Sequence, residues 1–93
     1  MILSEQEIMN AICLNMAERK QVQPTQVQVQ LMWDEDLGYS AEVIVEGRNQ
    51  YLIEGNMKEA VERYMLTEYG RRVFRSEIQF DITEEMICIV PDE

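Results

Sequence analysis

The chain has 93 residues, 46% of them apolar, with 18 acidic residues against 8 basic ones, no histidine and a formal net charge of −10. That size makes one domain, residues 1–93, with a single modest core. The charge repels phosphate backbones and anionic membrane surfaces, and the missing histidine removes the commonest general base and metal ligand.

In chain order, MILSEQEI has neither a basic segment nor a long apolar stretch, so it does not read as a signal peptide. Ser4 with Glu7 makes an S-x-x-E capping box, which predicts a helix from Glu5. Ile8, Met9, Ile12, Cys13 and Met16 share one side at helical spacing, and Arg19 and Lys20 suit the last turn. Pro24 lies in the connecting loop. QVQVQLMW then alternates as a half-buried strand, with Val27, Val29, Leu31 and Trp33 facing inward. DEDLG makes a turn, and YSAEVIVE is a second strand with Tyr39, Ala41, Val43 and Val45 inward. A tight turn within EGRN, marked by Gly47, leads to QYLIE, with Tyr51 and Ile53 inward.

Asn56 and Glu59 form a second capping motif, and Gly70 is the stop signal for the helix they open. Ala60, Val61, Tyr64 and Met65 share its inner face, while Leu14 and Leu66 project away from the stripes of their helices. After Arg71 to Arg75, EIQFDI alternates with Ile78, Phe80 and Ile82 inward, TEEM turns, and ICIV is a last short strand. The predicted class is α+β: two helices packed on one face of an antiparallel sheet, in the order α-β-β-β-α-β-β.

Residues that could carry chemistry are sparse. Cys13 and Cys88 form no CxxC motif and have no histidine partner, so both read as reduced thiols in a cytoplasmic protein. No catalytic, cofactor-binding or metal-ligating set is expected, and the chain reads as no enzyme. Asp34, Glu35 and Asp36 resemble the start of a calcium loop but lack its second half, so a solvated hairpin turn is expected. Arg71, Arg72 and Arg75 gather three cations in five residues and are the anion-site candidates. Met32, Ile44 and Leu52 interrupt the polar outer face of the sheet, and Cys88 and Val90 lie on a strand apolar on both sides. These five are the candidate interaction surface, for a second copy of the chain or a protein partner, with no membrane and no nucleic acid bound.

From Ser4 to about Tyr69 the order of elements is similar to a double-stranded-RNA-binding domain. That family opens its second helix with a serine and several lysines. Here Asn56 stands at the serine, Met57 and Val61 replace lysines, and only Lys58 and the packing Ala60 match. A nucleic-acid-related module, either degenerate or an acidic mimic of nucleic acid, is the alternative reading. The segments NAICLNMAERK, VQLMWDEDLGYSAEVIVEGR and QYLIEGNMKEAVERYM resemble the YxcD-like family of short bacterial proteins of unknown function, over about Glu5 to Tyr69. That resemblance implies a bacterial source and a small α+β domain, and it brings no site residues.

Overall fold

A computed structural model describes residues 1–92. Its elements are β1 (Ile2–Leu3), α1 (Glu5–Lys20), β2 (Val27–Asp34), β3 (Gly38–Val45), β4 (Arg48–Ile53), α2 (Glu54–Tyr69), β5 (Gln79–Ile82) and β6 (Met86–Ile89). The fold is α+β in the predicted order, preceded by a two-residue strand. The strands divide between two antiparallel sheets, β2-β3-β4 and β1-β6-β5. The alternation inside β1 is too short to register as a periodic signal, yet it places Leu3 opposite Cys88 and Ile2 opposite Ile89. The Val90 N–H donates to the Met1 carbonyl at 3.0 Å, extending that pairing.

The helix ends follow local chemistry. Ser4 Oγ accepts the Glu7 N–H at 3.2 Å, as the capping motif requires. The second helix starts earlier than Asn56. It begins at Glu54, and Asn56 Oδ1 reaches back to accept the Ile53 N–H at 3.2 Å. Gly70, at φ 66°, ends it, and the N–H groups of Gly70 and Arg71 both point to the Met65 carbonyl.

The core lies between the helices and the sheets. α1 packs against α2, β2 and β6, so it joins the two sheets, while α2 lies on β3 and β4. Ile8, Ile12 and Met16 from α1 meet Met57, Val61 and Met65 from α2, with Val43 and Leu52 below and Leu3, Cys88 and Val90 beside them. Tyr39 and Phe80 bring the sheets together at one end, with ring centroids 5.7 Å apart. No side chain with a polar or charged group is buried in this core among the described residues. Leu14 and Leu66 stay exposed, as their positions off the stripes imply.

Two contacts cross between the helices at their outer rims. Arg63 donates through Nε and Nη2 to both oxygens of Glu18. Near the other end, Tyr69 and Tyr64 donate to Glu7 Oε2 at 2.5 and 3.4 Å, and their rings meet edge-on with centroids 5.9 Å apart. The hydrogen bond to Glu7 and the repulsion between its carboxylate and a phenolate push the Tyr69 pKa up to about 12. An unfolded tyrosine ionises at about 10. The contribution of this contact to stability is therefore complete below about pH 10 and disappears as pH rises towards the folded value. In an absorbance titration of the folded protein, one tyrosine should ionise last, near 12. Tyr69→Phe should remove that component and soften the alkaline loss of stability; an unchanged titration would contradict the contact.

Candidate interaction surface

The outer face of β2-β3-β4 is set by a two-residue turn. Glu46 and Gly47 take φ 53° and 76°, and Val45 and Arg48 close the hairpin. Two consecutive positive φ values mark the primed turn that suits the twist of a hairpin, normally carried by Asn-Gly or Asp-Gly. A glutamate in the first position hides that signal; a turn one residue longer, Gly47 to Asn49 between Glu46 and Gln50, puts the strand out of phase. Because Arg48 is the first residue of β4, Gln50 and Leu52 fall on the inner face and Asn49, Tyr51 and Ile53 on the outer one. Leu52, expected on the surface, is 3% exposed, while Tyr51 and Ile53, expected inside, are 65% and 69% exposed.

Cys88 and Val90 are also removed from the candidate surface, at 0% and 2% exposure. β6 is the central strand of its sheet, between β1 and β5, and Cys88 faces Leu3 on one side and Phe80 on the other. The strand edges that would have been open are paired, and the thiol is packed into the core. Met32 and Ile44 stay on the outer face, half-buried.

The outer face therefore reads in three cross-strand rows. Gln28, Ile44 and Asn49 form one; Gln30, Glu42 and Tyr51 the next; Met32, Ser40 and Ile53 the third. Neither helix covers this face, since both pack on the opposite side. Glu42 Oε2 accepts from Asn49 Nδ2 at 2.7 Å and from the Tyr51 hydroxyl at 3.1 Å. The hydrogen bond to Glu42 raises the Tyr51 pKa, and repulsion from the same carboxylate adds to it. Glu42 thus ties the Tyr51 hydroxyl down in the middle row, with Ile44 in the row on one side of it and Ile53 in the row on the other. Aromatic groups held by a polar tip are common contact anchors.

Of the three arginines, Arg71 and Arg72 line one open pocket beside Pro91, with Glu77 and Asp92 also on its wall, and Arg75 lies outside it. The Arg71 guanidinium donates to the Pro91 carbonyl and contacts Met1 Sδ at 3.6 Å. Arg75 is held by Glu62, through Nε at 3.4 Å and through its backbone N–H at 2.9 Å. Arg72 is exposed and lines an open groove of about 500 Å³ between the helices and the segment that follows α2. Glu18, Glu59 and Glu62 face Arg19, Arg63 and Arg72 there, so the charges balance.

The turn after β2 likewise uses its own carboxylate. Asp34 Oδ1 accepts the N–H groups of Asp36 and Leu37, at 2.8 and 2.6 Å, and Gly38 at φ 72° resumes the strand. No group of three or more potential metal-ligating side chains occurs among the described residues. Burial raises the Cys13 pKa and pushes that of Cys88 up to about 12, with Lys58 opposing the second only in part. A thiol so protonated is a poor nucleophile. No helix among the described residues is long and apolar enough to cross a membrane.

The register of β4 has a direct test. Leu52→Ala should cost about 2–5 kcal/mol of stability, as core truncations do, and Ile53→Ala about 0.5 kcal/mol or less. The reverse order in urea denaturation would place Ile53 inside. Thermal melts with millimolar calcium and with chelator should superimpose, because the Asp34 carboxylate already serves two backbone donors; a rise of several degrees would show a bound ion.

Residues 1–85 match the family described as "Protein of unknown function (DUF2653)". No curated protein and no solved structure matches the chain.

Proposed function

The chain belongs to the DUF2653 family of proteins of unknown function, and from that premise we propose that it is a non-enzymatic, acidic module that works through protein contacts made by the outer face of β2-β3-β4. The observation that carries this reading is the uncovered apolar group Met32, Ile44, Tyr51 and Ile53 on a sheet whose other face buries Val27, Ala41, Val43 and Leu52 against the helices. Burying such side chains is worth about 25 cal/mol per Å² of apolar surface, which favours a partner. The polar groups between them, Gln28, Gln30 and Ser40, supply directional hydrogen bonds, which offset the desolvation that burying them costs.

The cytoplasm is the compartment this reading assigns, in keeping with two unpaired thiols. The YxcD-like resemblance adds a bacterial source. Nucleic acid is the less favoured partner. At the positions where double-stranded-RNA-binding domains carry lysines, Met57 and Val61 are fully buried, and Lys58 is tied to Glu54 at 3.2 Å. A shape reader of RNA needs several free cations along one face.

Two measurements test the proposal. Affinity capture from the source cell should retain a defined protein that is lost with the double variant Ile44→Glu, Ile53→Glu, while the variant keeps its circular dichroism and melting cooperativity. An identical captured set would overturn the assignment of this face. In a gel shift at physiological salt, neither double-stranded RNA nor DNA should bind; micromolar affinity would favour the nucleic-acid reading.

A further inference from the structure

The free edges of the sheets differ in the charge they present. β1 has only two residues, β5 carries Asp81 with Glu77, Glu84 and Glu85 nearby, and β4 opens on Arg48 and runs directly into α2. β2 is eight residues long and pairs on one side only, with β3. No charged residue occurs between Lys20 and Asp34, the longest neutral stretch of a chain whose net charge is −10. Edge strands that stay unpaired are usually protected by lysine, proline or inward charges. Val27 to Trp33 has none of these.

We infer that β2 is a self-pairing edge, joining two copies antiparallel about a two-fold axis through Gln30 to make one six-stranded sheet, β4-β3-β2-β2-β3-β4. Residues directly opposite in an antiparallel pair share a face, which limits the register to those that keep inner residues facing inner ones. With Gln30 opposite itself, Val29 faces Leu31 of the second copy and Val27 faces Trp33. Gln28 faces Met32 on the outer side. Asp34 falls opposite Gln26 of the second copy, so no carboxylate meets another. Moving the axis by one residue to Leu31 would instead bring Asp34 into the pairing and set Val27 opposite Glu35. Trp33 is 50% exposed and Val29 and Leu31 are half-buried in a single copy, so the pairing covers apolar surface already present. Two copies that each carry ten net negative charges can approach closely only across a neutral surface.

This inference rests on the proposed outer face and extends it, since the two outer faces become continuous in one sheet. Light scattering at about 100 µM, where even a micromolar dimer is formed, should give twice the 11.0 kDa chain mass. Gln30→Lys should weaken the dimer about tenfold by setting two cations opposite each other. The same change leaves the single copy intact, because residue 30 faces Glu42 on β3. Under mild oxidation Gln30→Cys should cross-link to itself and Gln28→Cys should not. A monomer at this concentration, a dimer indifferent to Gln30→Lys, or cross-linking by Gln28→Cys instead would each overturn the inference. The outer-face variant Ile44→Glu, Ile53→Glu should remain dimeric. A monomeric wild type that still captures its partner would therefore refute the edge pairing alone, and a dimer whose captured set ignores the outer-face variant would refute the proposed function alone.

Discussion

Glu46 and Gly47 hold the one backbone constraint on which the functional reading depends. Both sit at positive φ, which makes the hairpin turn two residues long and starts β4 at Arg48. Side chains in a strand alternate with a period of two, so the length of the turn decides which of Tyr51, Leu52 and Ile53 enters the core. With this turn Leu52 fills the space over Ala41, its cross-strand partner, and the outer face gains an aromatic ring and an isoleucine. A glutamate is an unusual occupant of a left-handed position, costing of order 1 kcal/mol or more. The packing of Leu52 under α2 offsets that cost.

The second sheet shows the same dependence on remote pairing. β6 is short and apolar on both faces, and taken alone it would be an exposed edge. The two residues of β1 and the four of β5 take its two sides, and the hydrogen bond from Val90 to Met1 continues the ladder. The thiol of Cys88 is enclosed as a result, which removes both a sticky surface and a reactive group. α1 leaves β1 through the Ser4 cap and crosses to β2, so one helix couples the sheets.

Charge acts at a coarser level. The acidic residues lie on the surface and the core excludes them, so the excess of carboxylates makes the molecule as a whole repel its own copies and polyanions. Local pairs such as Arg63 with Glu18 and Arg75 with Glu62 absorb part of the few cations, the second taking one from the Arg71 to Arg75 run. The neutral stretch from Gln21 to Trp33 is the exception, and its position on a free sheet edge gives it meaning that composition alone does not.

By itself the sequence determined α1, the body and end of α2, the faces of α1, β2 and β3, the α+β class and the order of elements. Those features are written in local periodicity and capping residues, Ser4 and Gly70 among them. It also placed Met32 and Ile44 on the outer face, because an uninterrupted alternation runs through both of their strands. Periodicity gives spacing without phase, and phase was decided by the tertiary structure: the φ signs at Glu46 and Gly47 set it for β4 and moved Leu52 inside. Long-range pairing decided the rest. The burial of Cys88 and Val90 required β1, a strand too short for any local signal. The removal of Arg75 from Arg71 and Arg72 required Glu62, and the docking of Arg71 required the chain near Pro91, residues distant in sequence that only folding brings into reach.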